Sequence, residues 1–380
     1  MSEKALFSYL AAKITTVYTP MEINPFSATL PNLKKITHPD AFFQSVKEQY
    51  SPQVRQDFFE EKEAPALYIQ LIERPTHSYL GIIATVPIRA YREGQIKGHE
   101  ETLERKGQIQ VRLLGERQAM VKPVLLTYNN VTAIESWMKQ QIAEANPIQT
   151  VFFEQDQAYY RLWEIRSSTK ISEVQALFNQ EVERAYIADG HHRMLSTADA
   201  SLQLETVLCS FFPEDQVLIR DFNRQVFLEE DFDEQAFLQQ LQALAKVEQL
   251  PVGQKPETKH TLSLLLAGQW YTVQWKTELL TGRGGDLPLL DADILNEVVL
   301  QPLLKVQDLR KTDRIKYIDG QSEVSDLEQV LRASSNSLLF CLFPINWSEM
   351  VQWADQDKTL PPKSTWFEPR MKNGLVVKDL

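Results

Sequence analysis

Short apolar runs alternate with amphipathic stretches along most of this chain, and no feature restricts its fold more. Ala66–Glu73 and Tyr79–Tyr91 read as strands, with Arg74-Pro75-Thr76-His77 turning between them. Pro123–Tyr128, Thr150–Phe153, Tyr159–Ile165, Ala185–Ala188, Glu205–Phe212 and Gln216–Val226 are further strand-like runs. Between them, Leu103–Val121, Val131–Ala145 and Ile171–Gln180 repeat apolar residues at helical spacing, and His191–Ala200 reads as a helix directly behind a strand. Interleaved strands and helices suggest an α/β or mixed α+β architecture.

A chain of 380 residues is long for a single core, so two packed domains are expected. Leu250–Lys259, with two prolines and a glycine, is the linker candidate. Beyond it, Thr261–Leu266 and Trp270–Trp275 form a hairpin around Ala267-Gly268, and Asp291–Leu304 reads as one helix. The expected division is an irregular segment over 1–65, an α/β domain over 66–249 and a second α/β domain over 259–380.

A formal net charge of −11 argues against a general affinity for nucleic acid or an anionic membrane, since either needs clustered cations. Cys209 and Cys341 are the two cysteines, both in apolar runs, which speaks against a disulfide framework. The first eighteen residues lack a long apolar core, and no window approaches a membrane span of about 18 apolar residues. A cytoplasmic protein is therefore expected. Glycine is scarce, 13 in all, yet Gly94, Gly98, Gly107 and Gly115 fall close together. They are expected to mark a loop of special geometry.

The sharpest local signal is Asp189-Gly190-His191-His192-Arg193, between an apolar strand and a helix. Gly190 permits a tight turn, and the amides opening a helix favour an anion. Arg193 falls in the first helical turn, where a planar guanidinium can hold phosphate through two parallel hydrogen bonds. His191 and His192 point about 100° apart, so one can meet a ligand while the other packs. Asp189 is placed to cap the helix or to hold a magnesium ion bearing phosphate oxygens. The same five residues also suit an ordinary Asp-Gly turn with a surface histidine pair.

Tyr186-Ile-Ala-Asp-Gly-His-His-Arg193 resembles the signature of the bacterial and archaeal family called domain of unknown function 1015. Two more segments resemble that family in the expected order. One is Tyr91 through His99-Glu100 to Thr102, followed by Lys106; the other is Pro361-Pro362-Lys363-Ser364-Thr365-Trp366-Phe367. The likeness runs from about Ala64 to the C-terminus. Asn24-Pro25-Phe26 keeps only the first half of the family's opening segment, and Asn223 stands where many relatives carry histidine. The Asp-Gly-His-His-Arg element is also similar to the phosphate-binding motif of the ParB/sulfiredoxin-like superfamily, which includes kinases acting on free serine. Sulfiredoxin chemistry needs a cysteine where His191 stands, so that activity is not expected.

These resemblances imply a ParB/sulfiredoxin-like phosphate-binding core with additional α/β domains. They imply a nucleotide-dependent phosphotransferase acting on a small hydroxyl-bearing metabolite, with ATP or ADP and magnesium; the alternative is a nucleotide-binding regulator. His99, Glu100, Asp189 and His191 are the expected catalytic residues, with Asp189 also the metal ligand. Gly190, His192, Arg193, Lys106, Lys363, Ser364 and Thr365 are expected to hold phosphate or nucleotide. A nucleotide and a metabolite are the expected partners, and a homodimer is compatible with this reading. On chemistry alone, Glu100 also suits a helix start and Pro361–Thr365 a stiff connector.

Overall fold

The structure is a computed structural model that describes residues 20–50, 58–101, 104–281, 283, 285–309, 312–334 and 336–380. The first eighteen residues, together with Thr102, thus lie outside the described residues. The chain forms a mixed α/β structure in two compact units: Met1–Gly98 with Thr102–Val217 and Pro369–Leu380, and His99–Glu101 with Leu218–Glu368.

In the first unit the helices are α1 (Pro39–Gln49), α2 (Ile88–Arg92), α3 (Glu104–Arg117), α4 (Thr132–Glu144), α5 (Ser168–Glu181) and α6 (His191–Thr197). Its main strands are β1 (Leu67–Glu73), β2 (Ser78–Pro87), β3 (Ile96–Lys97), β4 (Val124–Tyr128), β5 (Gln149–Phe153), β6 (Ala158–Ile165), β7 (Ala185–Asp189) and β8 (Thr206–Pro213). They form one mixed sheet in the order β3-β7-β4-β8-β2-β1-β6-β5. β7 runs parallel to β3 and antiparallel to β4, whereas β8 runs parallel to β4. A strand with neighbours on both edges and cover on both faces must be apolar throughout. Every residue of β4 is accordingly buried, as are Ala185–Ala188 of β7.

One face of the sheet is covered by α4 and α5. Ile171, Val174 and Phe178 recur at helical spacing and reach the same core as Ile134 and Met138. The Phe178 ring meets Tyr128 at 5.5 Å and Phe211 at 5.3 Å. A fully buried phenylalanine of this kind contributes about 1.5–3 kcal/mol. On another cluster, Leu114 of α3 packs with Met120, Ile83 and Leu208, and α3 lies along α6.

The second unit contains β9 (Asn223–Phe227), β10 (Ala245–Leu250), β11 (Thr261–Leu266), β12 (Gln269–Trp275), β13 (Ile315–Ile318) and β14 (Ser337–Leu342). Its helices include α7 (Glu234–Leu244), α8 (Val324–Arg332) and α9 (Trp347–Asp355). The sheet is antiparallel throughout, ordered β10-β12-β11-β14-β9-β13. Leu262 and Leu264 belong to one apolar cluster with Phe237 of α7, and Leu265 to another with Leu327 of α8. Both faces are therefore covered.

Several elements differ from expectation, each for a local reason. Tyr79–Tyr91 is a strand only to Pro87 and then turns into α2. Gln216–Val226 divides at Asp221, whose Oδ1 accepts the Phe222 N–H at 2.6 Å. Leu218–Arg220 then pairs with Trp366–Glu368, while β9 joins the large sheet. Leu250–Lys259 follows β10 inside the second unit, because β10 pairs along its length with β12. Asp291–Leu304 is α-helical to Leu295 and widens into a π turn over Asn296–Leu300. Gly107 and Gly115 lie within α3, so the clustered glycines do not share one loop. Both cysteines are buried free thiols, and no helix among the described residues is long and apolar enough to cross a membrane.

Candidate phosphate-binding site

β7 delivers the Asp-Gly-His-His-Arg segment to the end of the sheet. Its register on β4 shifts between Ile187 and Asp189, a local bulge of the kind that re-aims a side chain. Gly190 then adopts φ 108°, a region that L-residues avoid, and caps α6. A Cβ added there would also lie 2.6 Å from Arg193 Nη2. Gly190→Ala is therefore expected to lower stability by about 1–3 kcal/mol and to displace the Arg193 guanidinium. Thermal unfolding and an anion titration of the same variant check both effects.

Asp189 does not cap the helix; its carboxylate faces cations instead. Arg193 Nη2 donates to Oδ2 at 3.0 Å and to the Asp189 carbonyl at 3.3 Å. Lys122 Nζ lies 3.4 Å from Oδ2, and Arg370 Nη1 lies 3.4 Å from Oδ1. Burial by itself would raise this carboxyl, but Arg193, Lys122 and Arg370 outweigh it and hold Asp189 well below the usual range. Burial lowers Lys122 to about 8; Asp189 opposes the shift and the two arginines add to it. Three cations thus surround one carboxylate.

The ring comes from three separate stretches of chain. Lys122 sits just before β4, and Arg370 opens the C-terminal segment that returns to the first unit. That segment is tied down beside Arg370. The Tyr160 hydroxyl donates to the Arg370 carbonyl at 3.1 Å, and Lys372 pairs with Asp156 at 2.7 Å. Lys122 and Arg370 escaped the sequence reading: each is a lone cation far from Asp189, with no motif around it.

A cavity of about 200 Å3 adjoins the ring, lined in part by Arg117, Lys122, Arg193, Ser196, Thr197 and Asn373. The Arg193 Nε is buried without a hydrogen-bond partner among the described residues. Of the histidine pair, His191 is the packed member. It is 5 % exposed, and a Cβ on Gly98 would approach its ring within 3.2 Å. His192 is half-buried.

Of the remaining expected residues, Lys106 belongs to the first unit, and His99, Glu100, Lys363, Ser364 and Thr365 belong to the second. His99 is buried there, with Nε2 3.1 Å from Thr365 Oγ1 and its ring 5.6 Å from that of Phe367. Leu360 N–H donates to the His99 carbonyl at 2.8 Å. Thr365 is thus joined to His99 across most of the sequence. Glu100 is exposed. Ser364 spends its hydroxyl on the Pro361 carbonyl at 2.8 Å, closing the turn. Lys363 Nζ stands 4.9 Å from the centre of the Phe222 ring. The Lys106 side chain lies outside the described residues.

Magnesium does not suit Asp189. Both its oxygens are within 3.4 Å of cationic nitrogens, so a divalent ion would meet three like charges. Among the described residues, no group of three or more His, Cys, Asp or Glu is placed to hold a metal.

Fold and site thus define a mixed α/β protein with a cation-ringed carboxylate at a strand–turn–helix. The chain belongs to the family described as protein of unknown function (DUF1015), which matches residues 18–317. Among solved structures it is similar to SbnI with a C-terminal truncation from Staphylococcus aureus, at 13% identity and a TM-score of 0.42, covering 77% of this chain and 85% of that one. It is also similar to a free serine kinase in complex with AMP, at 12% identity and a TM-score of 0.38, covering 77% and 92%. A conserved hypothetical protein from Pyrococcus furiosus gives 11% identity and a TM-score of 0.37, covering 77% and 94%. Comparison with curated proteins gives no match.

Proposed function

We propose that this protein binds the phosphates of ATP or ADP at the Asp189 ring and transfers a phosphoryl group to a small hydroxyl-bearing metabolite. One observation carries the reading: Lys122, Arg193 and Arg370 converge on a single carboxylate beside a cavity. In that reading the core is ParB/sulfiredoxin-like and the protein works in the cytoplasm.

Asp189 serves as the anchor that holds like charges together until phosphate arrives. Arg193 and Arg370 supply planar donors, and Lys122 supplies a point charge. Transfer breaks the bond between the donor's terminal phosphorus and its bridging oxygen and forms one to the acceptor oxygen. The hydroxyl proton leaves late, to water, as a loose transition state allows, so positioning and charge neutralisation do most of the work.

Lys122 gives this reading a pH signature. With the lysine down to about 8, most free molecules have lost its charge at pH 9. Affinity for ADP is therefore expected to fall roughly tenfold between about pH 7 and pH 9. Calorimetric titration across that range checks it: Lys122→Arg should hold affinity level, and a wild-type profile already flat would remove lysine from the site. Transfer itself is read by following label from ATP or ADP into free hydroxy compounds. Binding without product would assign the site to regulation instead.

A further inference from the structure

The cavity beside the ring has a lining of one sign. Lys47, Arg117, Lys122 and Arg193 contribute to its wall, and among the described residues no aspartate or glutamate does. Met120, Val207 and Leu208 give it an apolar floor. Its volume of about 200 Å3 is below the roughly 300–1,000 Å3 that drug-sized ligands occupy, which suits a metabolite of a few carbons.

Arg117 is the telling residue. Its Nε and one terminal nitrogen are buried with no hydrogen-bond partner among the described residues, and so is the Nε of Arg193. Burial lowers the Arg117 pKa, against the pull of Glu116 and Glu48. A guanidinium has donors only, and its planar fork matches a carboxylate. An ammonium group would find the opposite. Four cations stand in the wall. Asp189 answers Lys122 and Arg193, and Glu48 and Glu116 act on Arg117, so the carboxylates near the wall are already engaged with its cations, and a further like charge is disfavoured.

We propose that this cavity takes a small hydroxy acid carrying no ammonium group, its carboxylate on Arg117 and its carbon body on the apolar floor, in preference to a free amino acid. Calling that acid the phosphoryl acceptor rests on the function proposed above; its binding does not.

The decisive pair of probes is 3-hydroxypropanoate and L-serine, which differ by one ammonium group. Titrated calorimetrically into the full chain without nucleotide, 3-hydroxypropanoate should bind at least about tenfold more tightly than serine. Arg117→Met should weaken the acid by about tenfold or more. Gln110→Phe, which fills the cavity from the half-buried face of α3, should weaken it as much while the far-ultraviolet spectrum stays unchanged. Serine binding as well as the acid, no acid binding, or acid binding that survives both substitutions would each overturn the proposal. A parallel ADP titration separates the two claims. ADP binding with no acid binding removes the hydroxy-acid site alone, and acid binding with no ADP binding removes the nucleotide site alone.

Discussion

Asp189→Ala is expected to lower the stability of the first unit by roughly 3 kcal/mol, the lower end of what removing one partner of a buried ion pair costs. The loss follows from what remains: Lys122, Arg193 and Arg370, partly buried and facing one another without the carboxylate they share. For a unit of this size that corresponds to a fall of roughly 6–12 °C in thermal midpoint. Phosphate in the buffer should restore part of it, since an added anion takes the place of the missing carboxylate. Acid provides a second reading. The folded protein holds Asp189 ionised where the unfolded chain would protonate it. The stabilisation is therefore complete above about pH 4 and is lost as pH falls through the lower folded value. Differential scanning calorimetry of wild type and variant from neutral to acidic pH should show that acid limb in the wild type only. A variant as stable as wild type would mean that the three cations do not depend on Asp189.

Arg193→Ala is expected to weaken ADP binding by about 100-fold, since it removes a guanidinium able to make two charge-assisted hydrogen bonds. Arg193→Lys should recover little of this, because a lysine at the first turn of α6 offers a point charge without the planar fork. Stability should change far less than in Asp189→Ala: Lys122 and Arg370 still balance the carboxylate. The two variants thus separate anchoring from binding. Equal loss of binding with Arg193→Lys and Arg193→Ala would confirm that geometry matters more than charge. Full recovery in the lysine variant would show that charge alone is read.

The part of the site that the sequence made legible is the part built from neighbours along the chain. An apolar run, a glycine and a helical pattern placed Asp189, Gly190 and Arg193 at a strand–turn–helix, as β7 and α6 do. Chemistry that depends on folding was invisible. Lys122 and Arg370 reach Asp189 only because β4 lies beside β7 and the C-terminal segment returns to the first unit. Asp189 accordingly read as a cap or a metal ligand, since two of the three cations around it lie far away in sequence. The motif containing Lys363, Ser364 and Thr365 was legible as a stiff turn beginning with two prolines. Its contact with His99 depended on long-range folding within the second unit. Strand and helix identities survived well where periodicity was long, as in α4 and α5. They failed at Asp221, where a single side chain accepting a backbone N–H divides one apolar run between two sheets.

A crystal structure grown with ADP tests the central claim most directly. The account predicts the terminal phosphate with its oxygens about 3 Å from Lys122 Nζ and from the guanidinium nitrogens of Arg193 and Arg370, the hydrogen-bond range for charged donors. Nucleotide bound elsewhere, with those three cations still closed on Asp189, would contradict it.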